Sequence, residues 1–383
     1  MRLTAAAAAA LLVALALARA SAAALPPRQK VLADGLKAVR YYADLAGVTN
    51  SSQPGRLHHP ECGWEYATFM TGVARLRRET GDPGLRRMLQ SFGDQYGWQM
   101  CPLNSYPYLN PGESFLNPDN QLCAATYIEV YDSSPLRSRN DSWIEWTRRQ
   151  YDSEIQAGHR TYWSWVDALY MSMNVLARLG EVTGEQAYYD HMWRNFEYGV
   201  GPEGYNFWDE EESLFYRDPP SQPGTPPGVF WSRGNGWALG ALVAAIEHSP
   251  ADEPHRGVYV DYFKNQTARL AKLQGADGCW RSSLTRADFN PLPETTGTAL
   301  FTYGMAWGIK AGLLDDNTFR PVVEKAWECL TTVSLQPSGR VGNCQPVGAA
   351  PGRNIGPEST SSFCVGQFAL AASAVSKIAP GRR

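Results

Sequence analysis

Residues 165–179 read Trp-Val-Asp-Ala-Leu-Tyr-Met-Ser-Met-Asn-Val-Leu-Ala-Arg-Leu. Val166, Leu169, Met173, Leu176 and Leu179 recur three or four positions apart, so they line one face of an α-helix. The stretch Gly184–Tyr198 has the same periodicity and follows after a short break, which predicts an antiparallel partner. The rest of the chain repeats this unit. Amphipathic stretches run Leu32–Leu45, Glu61–Thr80, Leu85–Tyr96, Asp119–Tyr131, Ser142–Ile155, Gly236–Glu247, Tyr259–Leu273, Thr295–Ala311, Phe319–Leu335 and Ser361–Ile378, with Gly/Pro loops between them. Strand-like alternation is confined to short pieces near Leu214–Tyr216, Phe230–Trp231 and Cys279–Leu284. The pattern predicts twelve helices: five adjacent hairpins, with the first helix left to pair with the last. A hairpin that cannot bury its inner face alone must stack on its neighbours. Six of them closing on one another make an all-α toroid, the (α/α)6 barrel, against the alternative of an open solenoid. Closure is favoured because the end helices need each other.

Composition excludes several classes. Lys+Arg total 35 against 38 for Asp+Glu, so no basic excess exists to neutralise a nucleic-acid backbone. The chain holds 13 Trp, 19 Tyr and 13 Phe, a load that suits flat apolar ligands with polar edges, such as sugars. Met1-Arg2 precedes an Ala/Leu/Val run from Leu3 to Ala18, then Arg19 and the small residues Ala20-Ser21-Ala22-Ala23-Ala24. This order predicts a secretory signal peptide over residues 1–24, cleaved between Ala20 and Pro26, rather than a membrane span. Residues 25–383 then form a single catalytic domain, secreted and without a membrane anchor. Sequons at Asn50, Asn140 and Asn265, and seven cysteines without CxxC spacing, agree with export. The odd cysteine count leaves at least one thiol free, and the pairing is open.

The unusual residues cluster at the starts of alternate helices. Trp64 opens one, Asp119 another, and Asp167 a third behind Trp163 and Trp165. The run Trp231-Ser-Arg-Gly-Asn-Gly-Trp237 leads into a fourth, and Glu294-Thr-Thr-Gly-Thr298 into a fifth. Inner helices of a toroid run parallel, so these N-termini meet at one mouth, whose dipoles and free N–H groups favour an anion. Arg217 and Arg233 add charge suited to a carboxylate. Each residue also has a plainer reading. Asp119 and Asp167 could be N-caps, the tryptophans core, and Arg233-Gly-Asn-Gly a turn. The six histidines lack metal-ligand spacing, and no P-loop, dinucleotide fingerprint or Gly-x-Ser-x-Gly elbow is present.

Three stretches, Trp163–Met171, Val229–Trp237 and Pro293–Phe301, together resemble glycoside hydrolase family 105, the unsaturated rhamnogalacturonyl hydrolases, and the related family 88 of unsaturated glucuronyl hydrolases. The likeness runs from about Val31 to Ala379. It implies an (α/α)6 barrel and an oligosaccharide substrate bearing a 4,5-unsaturated uronic acid at its non-reducing end, of the kind pectin-type lyases leave. It implies hydration of the C4=C5 vinyl ether without cofactor or metal. The resemblance places the principal acid/base on Asp167 and a second aspartate on Asp119. It places an aromatic platform on Trp64, Trp231 and Trp237, and a carboxylate-binding arginine on Arg233. Trp163, Trp165, Arg217, Asn235 and Thr296 complete the expected substrate-binding set. Three departures stand out: Arg217 where some members carry histidine, Asp119-Asn120 where paired aspartates are common, and Thr296 where serine is usual. Two rival readings remain: another enzyme on the same toroid, such as an inverting glycosidase or a lyase, and a non-catalytic sugar-binding protein.

Overall fold

The computed structural model describes residues 24–48, 57–101, 116–159, 161–222 and 228–381. The expected signal peptide, apart from Ala24, and the Asn50 sequon lie outside them. Among the described residues twelve principal helices form: α1 Arg28–Leu45, α2 Trp64–Thr80, α3 Pro83–Gln95, α4 Cys123–Asp132, α5 Ser142–Ala157, α6 Asp167–Thr183, α7 Gln186–Val200, α8 Ser232–His248, α9 Arg256–Lys272, α10 Thr295–Lys310, α11 Asp316–Cys329 and α12 Ser362–Ser376. Each even-numbered helix packs on the next, in the order α2, α4, α6, α8, α10, α12, and α12 returns to α2. The odd-numbered helices form an outer ring, and α1 pairs with α12 as the sequence predicts. The ring is closed, which removes the open-solenoid alternative.

The two rings differ in burial for a simple reason. An outer helix meets the inner ring on one side only, so α3 buries one face, Leu85, Met88, Leu89, Phe92 and Gly93, and leaves Arg86, Arg87 and Asp94 exposed. An inner helix is covered on both sides. Every residue of α6 from Asp167 to Gly180 is buried, and every residue of α12. The one-sided periodicity of residues 165–179 therefore understates the burial of that helix. Hairpin turns follow familiar rules. Gly81 ends α2 in the left-handed region (φ 67°). Asp82 then caps α3, its carboxylate accepting from the amides of Gly84 (2.7 Å) and Leu85 (3.1 Å) behind Pro83.

Three boundaries differ from the sequence reading. The helix expected over Asp119–Tyr131 is broken into a turn, Pro118–Gln121, and α4. Phe319–Leu335 ends at Cys329 and continues as a π-helical turn, Leu330–Ser334. The fourth inner helix begins at Ser232 rather than Gly236, so the whole Arg-Gly-Asn-Gly run is helical and not a turn. Extended structure forms at each expected piece, and β1 is an addition the sequence reading did not include. Strand β1 Trp208–Asp209 pairs with β2 Leu214–Phe215, and an isolated bridge joins Trp231 to Ser283.

The two ends of the barrel are built differently. Inner helices start, and outer helices finish, at the mouth. All three disulfides are on that side: Cys62–Cys101, Cys279–Cys329 and Cys344–Cys364. Cys123 is the free, buried thiol. At the far end, where the negative ends of the inner helices gather, Arg75, Arg78 and Arg178 interleave with Glu129, Glu181, Glu247 and His248. Glu129 is buried and pairs with both Arg78 and Arg178, the latter at 3.0 Å. Burial alone would raise its carboxyl, but the guanidiniums outweigh burial and hold it below the usual carboxylate range. Against the same burial, Glu247 is lowered mainly by Arg75 and Glu181 mainly by its hydrogen bond with His248. Burial, with Arg178 beside it, also depresses His248.

Closure depends on α2 and α12 approaching through glycines. A Cβ on Gly72 would lie 2.2 Å from the carbonyl oxygen of Gly366, and one on Gly366 would lie 2.4 Å from that of Thr68. Both obstacles are backbone, so no rotamer change relieves them. Gly366→Ala should cost about 3 kcal/mol or more, seen as a lowered thermal midpoint. Gly257→Ala, in α9 with open space around it, should be neutral or slightly stabilising. A Gly366→Ala midpoint equal to wild type would refute the tight seam. The far-end cluster also sets a pH response. Its depressed carboxylates contribute stability above their ordinary pKa, and that contribution is lost as pH falls. Depressed His248 adds a loss beginning near the ordinary imidazole value of about 6.5. The thermal midpoint should therefore fall steadily from pH 7 to pH 4 in differential scanning fluorimetry; a midpoint rising over that range would contradict this.

Candidate active site

The mouth is assembled from the first turns of the inner helices. Asp167 is the first residue of α6, and Val166 occupies the cap position without a side-chain cap bond. The N-cap role that its position allowed is not what the carboxylate does. The loop after β2 fixes this end of α6: the amide of Val166 donates to the carbonyl of Arg217 at 2.9 Å. The same residue then turns its side chain towards the aspartate, with Arg217 Nε 3.4 Å from Asp167 Oδ2. Burial pushes the Asp167 carboxyl above the usual carboxylate range. Arg217 and Arg233 pull it down without cancelling that effect, and Asp218 adds to it. A carboxyl group that keeps its proton more readily than usual is what a general acid requires.

Asp119 is not a cap either. It lies in the turn Pro118–Gln121, where Asn117 is the capping residue and accepts from the Asp119 amide at 3.0 Å. The turn packs on α6. Its Gln121 bridges Ser172 of α6 and Tyr151 of α5, so this segment and the helix bearing Asp167 are held as one body.

The tryptophans divide into two groups. Trp163, Trp231 and Trp237 are buried, as core residues would be. Trp64 and Trp165 are half-exposed at the rim. Trp64 meets Trp237 edge-on (6.3 Å between centroids) and tilts against Phe363 (5.1 Å), while Trp237 packs on Tyr170 (4.8 Å). Buried Trp237 thus supports Trp64, and the platform open to a ligand is smaller than the sequence set suggests.

Arg233 departs most from expectation. It is fully buried, and its guanidinium lies over the rings of Trp231 (4.5 Å) and Phe363 (5.0 Å). Nη1 donates to the carbonyl of Gln345 at 2.9 Å, and Nη2 to those of Pro346 (2.9 Å) and Gly348 (3.3 Å). Its terminal nitrogens are therefore taken up in anchoring the 345–348 loop. Burial brings the guanidinium down to about 10, against the charges of Glu294, Asp167 and Glu65. Arg217, by contrast, keeps 27% of its side chain exposed and pairs with Asp218 as well as Asp167. Of the two arginines, Arg217 is the one a ligand can reach.

Asn235 and Thr296 are structural where they stand. The Asn235 amide pairs with both backbone groups of Phe215, accepting at 2.8 Å and donating at 3.0 Å, and so fastens β2 to α8. Thr296 is buried, and its hydroxyl and amide both donate to Glu294, the N-cap of α10. Glu294 in turn accepts from the Ser232 hydroxyl at 2.9 Å and ties α10 to α8.

Sequence reasoning passed over two acidic groups near Arg233 and Arg217. Glu65, in the first turn of α2, is raised by burial, reinforced by Glu61 and opposed by Arg233. Asp218 holds Arg217. Their only signal was adjacency to Trp64 and Arg217. The Gly/Pro-rich stretch from Gly348 to Thr360 matches the resemblance least, yet its Gly348 carbonyl accepts from Arg233 and its Gly352 carbonyl is held by Ser282 and Asn290.

Comparison with known proteins agrees with this geometry. Residues 45–379 match Glycosyl Hydrolase Family 88. An unsaturated 3S-rhamnoglycuronyl hydrolase of Formosa agariphila is 31% identical over 340 residues, spanning 82% of this chain and 84% of that protein. A family 88 glycosyl hydrolase structure from Bacteroides vulgatus superposes with TM-score 0.80 at 30% identity, covering 91% of this chain and 99% of the other. A structure named as a polysaccharide lyase superposes with TM-score 0.79, also at 30% identity, covering 92% and 98%. The (α/α)6 ring, the mouth built around a buried aspartate and the match over residues 45–379 lead to one conclusion: the chain belongs to Glycosyl Hydrolase Family 88 and is a glycoside hydrolase.

Proposed function

We propose that the protein removes a 4,5-unsaturated uronyl residue from the non-reducing end of lyase-generated oligosaccharides, by hydrating the C4=C5 bond. The observation that carries this reading is the buried Asp167, its carboxyl raised by burial, beside an accessible arginine. Protonation of C4 by Asp167 leaves positive charge shared between C5 and the ring oxygen. Water adds at C5 and returns its proton to the Asp167 carboxylate. The hemiketal so formed opens to a ketone, and the hemiacetal left at C1 expels the rest of the saccharide. One carboxyl group gives and regains the proton, so no second catalytic carboxylate astride the glycosidic oxygen is required. Asp119, on the turn packed against α6, is assigned to orienting the water or adjusting Asp167. Trp64 and Trp165 offer the faces on which the sugar rings rest.

The Formosa relative is named for a rhamnoglycuronyl substrate, and this supports a rhamnose-linked uronide here; fragments of pectin type are the second candidate. Secretion is proposed on three grounds. They are the apolar N-terminal run, the three disulfides and the exposure of the two described sequon asparagines, Asn140 and Asn265. Among the described residues, no helix is long and apolar enough to cross a membrane.

The structural likeness to a protein named as a lyase gives a second reading a footing. A raised carboxyl suits either chemistry, giving a proton to C4 in a hydration or, once ionised, taking one from C5 in an elimination. One assay separates them by sign. Ultraviolet absorbance of the conjugated enol ether should fall when the protein is mixed with lyase-digested rhamnogalacturonan or rhamnose-linked glucuronan fragments. It would rise on intact polymer for a lyase, and would not change for a binding protein. Saturated oligosaccharides should be untouched. Asp167→Asn should lower turnover by roughly 10²–10⁴-fold with an unchanged circular dichroism spectrum. Wild-type rates in Asp167→Asn would remove the assignment.

A further inference from the structure

We infer that Arg217 is an exchangeable partner: it pairs with Asp167 in the empty enzyme and passes to the substrate carboxylate on binding, releasing Asp167 to take up the proton it will deliver. This rests on the hydrolase reading above. The geometry points to it. Arg217 Nε and Asp167 Oδ2 approach to 3.4 Å, yet neither atom has a hydrogen-bond partner among the described residues. The contact is an ion pair without the aligned hydrogen bond that would lock it. Both atoms are shielded, but their side chains retain 27% and 12% exposure, so the pair is at the edge of the mouth. Arg217 is held elsewhere, by its backbone carbonyl on the Val166 amide and by Nη1 on Asp218, so its guanidinium can change one partner while its base stays fixed. The other arginine of the mouth cannot play this part, because Arg233 is committed to the carbonyls of Gln345, Pro346 and Gly348.

The charges around Asp167 fix the direction of the effect. Arg217 and Asp218 face it from the loop after β2, and Arg233 from α8. Glu294 and Glu65 act on Arg233 from α10's cap and from α2, and Asp119 is carried by the turn packed on α6. Of these, only the Arg217 contact is both attractive to the Asp167 carboxylate and open to a ligand. A uronate that draws Arg217 away removes the main force holding Asp167 ionised and brings a second negative charge close by. Both changes favour the protonated acid. Binding and acid activation become one event, and a substrate without the carboxylate would bind without arming the acid.

The test is the pH dependence of wild type, R217Q and R217K on an unsaturated uronyl disaccharide and on its methyl ester. In wild type the alkaline limb of kcat, which reports the complex, should be about one pH unit or more above that of kcat/KM, which reports free enzyme. With the methyl ester the two limbs should draw together. In R217Q the kcat/KM limb should move up towards the kcat limb, and KM for the charged substrate should rise about tenfold or more. R217K, which keeps the charge, should return the kcat/KM limb most of the way while KM stays raised. Coincident limbs in wild type, or a kcat/KM limb unmoved in R217Q, would overturn the exchange. A residue that merely props up the loop would lower kcat without moving either limb, and that result would overturn it too. Wild-type enzyme that left every unsaturated uronide unchanged would instead remove the hydrolase reading, and the exchange with it.

Discussion

The crossing of α2 and α12 at Gly72 and Gly366 is the contact that makes this chain a ring. Each glycine faces backbone of the other helix, so the two axes approach more closely than any side chain permits. The consequence reaches the site directly. Trp64 opens α2 and Phe363 is the second residue of α12, and the two rings meet at 5.1 Å at the mouth. Phe363 also carries one face of the Arg233 guanidinium. Spreading the seam would therefore move the rim tryptophan and the support of the loop anchor together. The closing joint of the fold is also one wall of the site.

The same economy governs the two ends of the barrel. Parallel inner helices direct six N-termini to one end and six C-termini to the other. At the far end, the protein meets the collected negative ends with arginines and balances those with Glu129, Glu181 and Glu247. Breaking one partner of such a buried group costs more than the intact group contributes. Its place therefore reads as fixing the register of the helices rather than adding net stability. At the mouth, three disulfides hold loops that have little regular structure of their own. Two of the three tie a loop to a helix, Cys279 to Cys329 of α11 and Cys344 to Cys364 of α12.

The sequence carried the ring clearly, because inner and outer helices alternate and each hairpin needs neighbours. It was weaker on which residues face the ligand. Trp231-Ser-Arg-Gly-Asn-Gly-Trp237 reads as a loop because two glycines suggest a turn, yet the run is helical. Gly234 and Gly236 serve packing there: a Cβ would meet Trp231 at the first, and Leu300 at the second. Arg233 reads as a ligand for carboxylate because guanidinium suits carboxylate. Nothing in the local sequence says that carbonyls more than a hundred residues later will occupy it. Asn235 is the same case, its amide spent on Phe215. Asp167 was legible, because its neighbours Trp163, Val166 and Tyr170 are apolar and near in sequence, and burial of a carboxyl by adjacent residues can be read locally. Long-range partners cannot.

That contrast bears on how the acid is set. A carboxyl raised by burial alone would be protonated with or without substrate and would gain nothing from recognition. A carboxyl pinned by a committed arginine would stay ionised and could not donate. Asp167 stands between these limits, raised by its surroundings and restrained by a guanidinium that is only loosely aligned with it. Arg233 also lowers Asp167, but it is fixed under the 345–348 loop, which leaves Arg217 as the restraint a ligand can draw away. In the proposed mechanism, this division of labour between two arginines lets a single aspartate be both responsive to its ligand and acidic enough to act on it.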